Sequence, residues 1–430
     1  MPDPAAPAAP PARASFALAR ASCVLALFTA LIGSTAPSPL YPIYLARLDV
    51  GHGIGAVIYA IYSLGTLIAL MLTARIGGRV GDLRRIILPG LLITAAGAVI
   101  FASSQSLAML LAGRCLNGVG TGLIAGMAST ALYDLAPPHR RGAATTLATV
   151  AFTAGAAGGP LLSSAALALH AWPTVTPFVV IALLAALAFA GLCRARWPSA
   201  GRRADPQPAA APPTAPDPAA AVPAPIVPAP VVAGPGVPPP APPARSALAP
   251  FLLGCLSICA AWMVGSTMMA MGTTLAQEVF AIASAGLSGM IPALFQTFAG
   301  TGQALFGRFR PRGPVLWGLA CLAAAQVALA LAAPAAIGPA MFVLVPLSGL
   351  AYGAAFVGAL GLVTGAAPPE RRASMVSRFY IVGYLANSVP TMMIGGLSDV
   401  IGLLPAFEVF SVVLVLIAIG GSLFALRLRG

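Results

Sequence analysis

Twelve stretches of about 20 mostly apolar residues recur along this 430-residue chain, each long enough to cross a bilayer as a helix. They lie at 17–44, 53–75, 86–104, 107–134, 142–169 and 173–193, then at 248–274, 285–306, 314–332, 337–365, 374–397 and 403–426. A water-soluble fold is excluded: 59% of residues are hydrophobic and 8% charged, so too little polar surface exists to cover an exterior. In hydrocarbon each backbone N–H and C=O must be satisfied within its own segment, so the runs predict an all-α integral membrane protein with twelve transmembrane helices. The run at 17–44 is too long for a cleaved signal and is expected to stay as the first helix. The six cysteines lie in or beside these runs with no CxxC pair, so neither a disulfide framework nor a metal centre is expected, and no cofactor.

The formal charge of +13 raises nucleic acid as a partner, and the placement of the charge excludes it. All 23 basic residues are arginine, and they cluster in the short segments between apolar runs. With the amino terminus inside, 21 fall on one face, Arg47 falls on the other and Arg114 lies within a run. That asymmetry predicts a multi-pass protein of the inner (cytoplasmic) membrane with both termini cytoplasmic and anionic lipid headgroups as neighbours.

Residues 198–243 contain 17 of the 42 prolines, mixed with alanine, a composition that builds no packed core. The expected organisation is a Pro/Ala-rich tail at 1–16, a six-helix bundle at 17–197, a cytoplasmic linker at 198–247 and a second six-helix bundle at 248–430. The two halves are related. A shift of 231 residues places Gly118 on Gly349, Gly122 on Gly353 and Ala128 on Ala359. The same shift turns the string APPHRR, ending in Arg140 and Arg141, into APPERR, ending in Arg371 and Arg372. Six spans per half give both copies one orientation, a parallel pseudo-repeat of the kind used for alternating access.

Four motifs then resemble those of the major facilitator superfamily, and the likeness covers nearly the whole chain outside the linker. Gly78 to Arg85, with Asp82, Arg84 and Arg85, is similar to that family's loop signature after its second helix, although its basic part is short and lacks a glycine. In the family this loop closes an inner gate, and Asp82 would serve there as a helix-terminal anion. Arg114 to Gly122 resembles the R-x-x-x-G-x-G-x-G motif of the fourth helix. Gly155 to Pro160 resembles the G-x-x-x-G-P core associated with antiporters, with Thr146 and Ser163 standing where the longer pattern has glycine. Gly395 to Asp399 echoes the loop signature at the outer end of span eleven. The resemblance implies gating roles for Gly78, Asp82, Arg84, Arg85, Arg140, Arg141, Arg371, Arg372, Gly155, Gly159 and Pro160.

It also implies a cavity lined by helices one, four, seven and ten, which makes Arg114, Asn117, Thr121, Tyr41, Trp262 and Tyr352 candidate substrate contacts, with Gln296 and Asn387 beside them. Pro37, Pro39 and Pro42 are expected to kink or end the first helix. None of the ten carboxylates falls at the centre of a span, so the strong intramembrane charge is positive. The expected function is secondary transport of a small organic solute that is anionic, zwitterionic or neutral, by a monomer. Protons are the candidate coupling ion, through Asp49, Glu278 or Asp134. A proton-coupled multidrug efflux pump and a transporter-like membrane sensor are the alternatives. An enzyme is not expected, because no nucleophile elbow, metal cluster or phosphate loop is present.

Overall fold

A computed structural model describes residues 16–76, 80–197, 245–368 and 371–427, all of them helical or connecting. In the first half the helices are α1 (Ala17–Thr35), α2 (Tyr41–Leu48), α3 (His52–Ile76), α4 (Arg84–Ala102), α5 (Leu107–Asp134), α6 (Arg141–Ala168) and α7 (Thr176–Arg194). The second half contains α8 (Arg245–Thr274), α9 (Ala285–Phe306), α10 (Arg312–Ala332), α11 (Gly338–Ala366), α12 (Arg372–Ile401) and α13 (Leu403–Arg427). Gly78 and nearly all of the Pro/Ala-rich tail and linker lie outside the described residues.

The first span is broken where its prolines predict. α1 ends at Thr35, a 3₁₀ turn covers Ser38–Leu40, and α2 resumes the direction to Leu48. A proline cannot donate to the preceding turn, so carbonyls are freed at the break. One of them, Ala36 O, accepts a 2.7 Å bond from Ser163 Oγ on α6. The serine at the position where the antiporter-type pattern has glycine therefore has a local task.

The sequence repeat reappears as a packing repeat. In the first half α5 packs on α3, α4 and α1, while α1 also meets α6 and α7; in the second half α11 packs on α9, α10 and α8, while α8 meets α12 and α13. The repeated glycines do the same job twice. Gly118 and Gly122 leave no room for a methyl against Tyr62 and Thr66 of α3, and Gly349 and Gly353 are as tight against Phe295 and Ala299 of α9. The halves meet through α3 with α12 and α6 with α9, themselves a pair under the repeat.

Ten spans are long and apolar enough to cross a membrane by composition alone; α9 and α12 are the two outside that set. Both face the opposite half, and they carry Gln296, Gln303, Arg378, Asn387 and Asp399. The face of α12 turned to the other half holds Asn387 against Tyr59 and Ser63, whereas exposed faces present Leu64, Leu187, Val343, Leu385 and Leu416.

Candidate substrate pathway

α5 is apolar on nearly every side, so its glycines and few polar groups decide which face meets which neighbour. Gly113 and Gly120 turn toward Phe101 and Thr94 of α4, and Gly118 and Gly122 toward α3. Arg114 is left between α1 and α3, with 1% of its surface exposed. It lies seven residues into the helix, about 10 Å from the arginine-poor end. Its Nη1 donates to Ser34 O at 2.6 Å and its Nε to Ile58 O at 3.4 Å. The rings of Tyr62 and Tyr59 cover the guanidinium at 4.9 and 5.7 Å from their centroids, and Tyr41 lies in its field. The break after α1 helps: Ser34 sits in its last turn, where a carbonyl is free to accept.

Asn117 and Thr121, one and two turns further along α5, face α1 inside the first half. Thr121 Oγ1 donates to Ala30 O at 3.1 Å, and Asn117 is fully buried beside Gly33 with no side-chain hydrogen bond among the described residues. Asn387 lies on the seam between the halves: it accepts from Tyr59 Oη at 3.3 Å and donates to Ser63 Oγ at 2.8 Å. Gln296 is half-buried on α9, one turn from the Gly300–Thr153 contact with α6. Trp262 and Tyr352 belong to an aromatic cluster in the second half. Trp262 stacks near Phe356 at 6.2 Å and meets Tyr384 edge-on at 5.1 Å, while Tyr352 packs on Phe295 at 5.3 Å. The indole N–H of Trp262 is buried without a partner among the described residues. Tyr59, Tyr62 and Tyr384 were not singled out from the sequence. Tyr59 and Tyr62 share one face of α3 at i, i+3 spacing, and only the fold places them over Arg114.

The contacts that join the halves crowd toward the arginine-poor end. There the backbone N–H groups of His52 and Gly53, at the start of α3, donate to Asp399 of α12 at 2.7 and 2.9 Å. The His52 ring reaches Glu278 at 3.3 Å, and Glu278 lies in the π-helical turn Leu275–Val279 that ends the seventh span. Gly286 meets Ala168, and Gly289 meets Ser164 and Pro39. At the other end the first turns of α6 and α12 are exposed, including Arg371 and Arg372. Arg140 is exposed too, while Arg141 lies over the Tyr133 ring at 5.0 Å.

In the loop before α4, Asp82 accepts from Arg84 N at 3.0 Å and pairs with its Nη2 at 2.8 Å. Partial desolvation raises the Asp82 pKa, but the Arg84 bonds and the Arg85 charge outweigh it and hold the carboxyl below its ordinary range. Arg84 also stacks on Trp197 at 5.1 Å and reaches Ala195 O, tying the loop to the end of α7. Gly155 and Gly159 bring α6 against α1: a methyl on Gly155 would sit 2.5 Å from Phe28 O. Pro160 follows inside the helix, and its carbonyl accepts from Ser164 Oγ.

The Major Facilitator Superfamily profile matches residues 23–391, nearly the whole described chain. The chain belongs to the major facilitator superfamily. As an MFS member it belongs to a family of multi-pass membrane transporters. Solved MFS-type structures agree on the fold. A bacterial homologue of the human lysosomal transporter Spinster, inward-facing and unoccupied, superposes with a TM-score of 0.67 at 15% identity, covering 94% of this chain and 95% of that one. A POT family transporter in complex with 5-aminolevulinic acid gives 0.71 at 12% identity, covering 96% of each. Among curated relatives, an uncharacterised MFS-type transporter of Mycobacterium tuberculosis is 29% identical over 146 residues, 33% of this chain and 25% of that protein. Multidrug resistance protein 3 of Bacillus subtilis is 29% identical over 101 residues, 23% of this chain and 20% of its own. The lincomycin resistance protein LmrB of Listeria monocytogenes is 33% identical over 98 residues, 22% of this chain and 21% of its own. This chain thus spans a quarter or less of those relatives' lengths.

Proposed function

We propose that this protein is a secondary transporter that carries a small organic solute bearing an anionic or zwitterionic group by alternating access. Arg114 carries the reading: a guanidinium buried between α1 and α3 beside the seam of the halves, with no carboxylate paired to it among the described residues. An uncompensated cation at that depth is costly, and an anionic solute group supplies the missing charge. In the closed arrangement two carbonyls and two tyrosine rings hold it, so the solute reaches Arg114 when Tyr59 and Tyr62 part from α12. Asn387 and the aromatic cluster around Trp262 form the opposite wall. The bundles 17–197 and 248–430 rock as units, tethered by 198–247.

The arginine-rich face is cytoplasmic on this reading, because basic loops stay inside. The shut arginine-poor end then makes this the inward-facing state. Glu278 is the proposed proton-coupling acid, since it is paired across the halves with a titratable partner, His52.

A thermal-shift panel on purified protein tests the solute class. Anionic and zwitterionic solutes should stabilise the wild type, while Arg114→Gln and Arg114→Lys lose that response. Stabilisation by cationic solutes that is unaltered in both variants would instead favour multidrug export. That second reading draws on the aromatic cluster around Trp262 and on relatives named for multidrug and lincomycin resistance. Uptake into proteoliposomes separates either reading from a sensor.

A further inference from the structure

α1 and α6 cross at contact distance where Gly155 meets Phe28, and from that crossing they splay toward the arginine-rich face. The wedge between them, backed by the end of α5, is a groove of about 720 Å³. Arg20 and Arg140 stand among its walls at the ends of their segments, where headgroups lie in a bilayer. Deeper in, the lining side chains are wholly apolar, with Leu25, Phe28, Leu132 and Leu147 the largest and Val24 and alanines between them. From Arg20 to Phe28 the groove descends about 12 Å along α1.

We propose that this groove holds an anionic phospholipid from the leaflet at the arginine-rich face, its headgroup on Arg20 and Arg140 and one acyl chain between α1 and α6. Charge complementarity selects the head: Arg20 and Arg140 line this corner, with Arg141 next to Arg140 in sequence, and the groove's described lining contains no carboxylate. The walls select the tail. Below the arginines a polar solute finds no hydrogen-bonding side chain, whereas an acyl chain finds alanine, valine, leucine and phenylalanine surfaces. A chain seated there fills the wedge and holds the two helices apart below their crossing.

Full-length protein equilibrated in vesicles of equal phosphatidylglycerol and phosphatidylcholine, then examined by native mass spectrometry, tests the assignment. The wild type should retain phosphatidylglycerol preferentially. Arg20→Gln with Arg140→Gln should lower that preference by about thirtyfold, the change two juxtamembrane arginines carry. Ala21→Phe, at an exposed wall position, should reduce retention of both lipids by blocking the tail. Arg371→Gln with Arg372→Gln, on the other half, should leave the preference intact. Equal loss in that control pair would mean diffuse attraction to the basic face and overturn the site. No lipid preference in the wild type would overturn it too, as would protection against unfolding by octanoate but not by phosphatidylglycerol.

Discussion

His52 and Asp399 lie on opposite halves and are joined at the start of α3: the His52 backbone N–H donates to Asp399 Oδ1 at 2.7 Å, and the imidazole Nδ1 stands 3.7 Å from the same oxygen. With Gly53 N–H on the second oxygen, the carboxylate caps a helix that belongs to the other bundle. Gly51 and Gly53 permit the approach, because a Cβ at either position would lie within 2.7 Å of the carboxylate. Asp399→Ala should therefore cost about 1 kcal/mol of the closed arrangement, the usual value of a helix cap, and shift the closed-to-open ratio about fivefold. Spin-label distances across the arginine-poor face check it. An unchanged distribution would mean that the cap does not hold the end shut.

Asn387→Leu removes two side-chain bonds to α3, those to Tyr59 and Ser63. Interhelical bonds in membranes are worth roughly 0.6 kcal/mol each, so the expected cost to closure is about 1 kcal/mol. A double-mutant cycle with Ser63→Ala isolates one of the two bonds. Additive effects would show that Asn387 and Ser63 are not coupled.

Gly155→Val tests the crossing of α1 and α6. The added methyls meet the Phe28 carbonyl and Leu31, which are backbone and packed side chain with no space to yield. Overpacking of this kind costs about 1–3 kcal/mol, measured as a fall in the thermal unfolding midpoint. Gly142→Val, in open space on the same helix, should have little effect.

The Asp82–Arg84 clasp should depend on pH with a definite sign. A carboxyl held below its ordinary range contributes stability at neutral pH, and that contribution is lost as pH falls through the lowered value. Because Arg84 stacks on Trp197, tryptophan emission should report the loss in acid. Asp82→Asn should flatten the acid transition, and Trp197→Phe should remove the signal.

Much of this architecture was readable from the chain because hydrocarbon leaves few choices: span number, the broken first span and the repeat follow from apolar length, proline and glycine. The candidate site was readable in part. Arg114 stands out as a charge within an apolar run, and Asn387 as an amide in one. Helix faces were not readable. α5 is apolar toward lipid and toward protein alike, so periodicity does not say that Asn117 and Thr121 turn to α1. Nor does sequence distance show that Glu278 and Asp399, each a solitary acid near a helix end, converge on His52. Those relations arise only when residues more than 200 positions apart come together.

The first turn of α3 borrows its terminal acceptor from the other bundle, so its order depends on where that bundle stands. When the halves part at this face, two amide hydrogens lose their carboxylate and turn to water. On the proposed alternating-access reading, hydrogen exchange at His52 and Gly53 should act as a clock for the cycle, quickening each time the arginine-poor end opens.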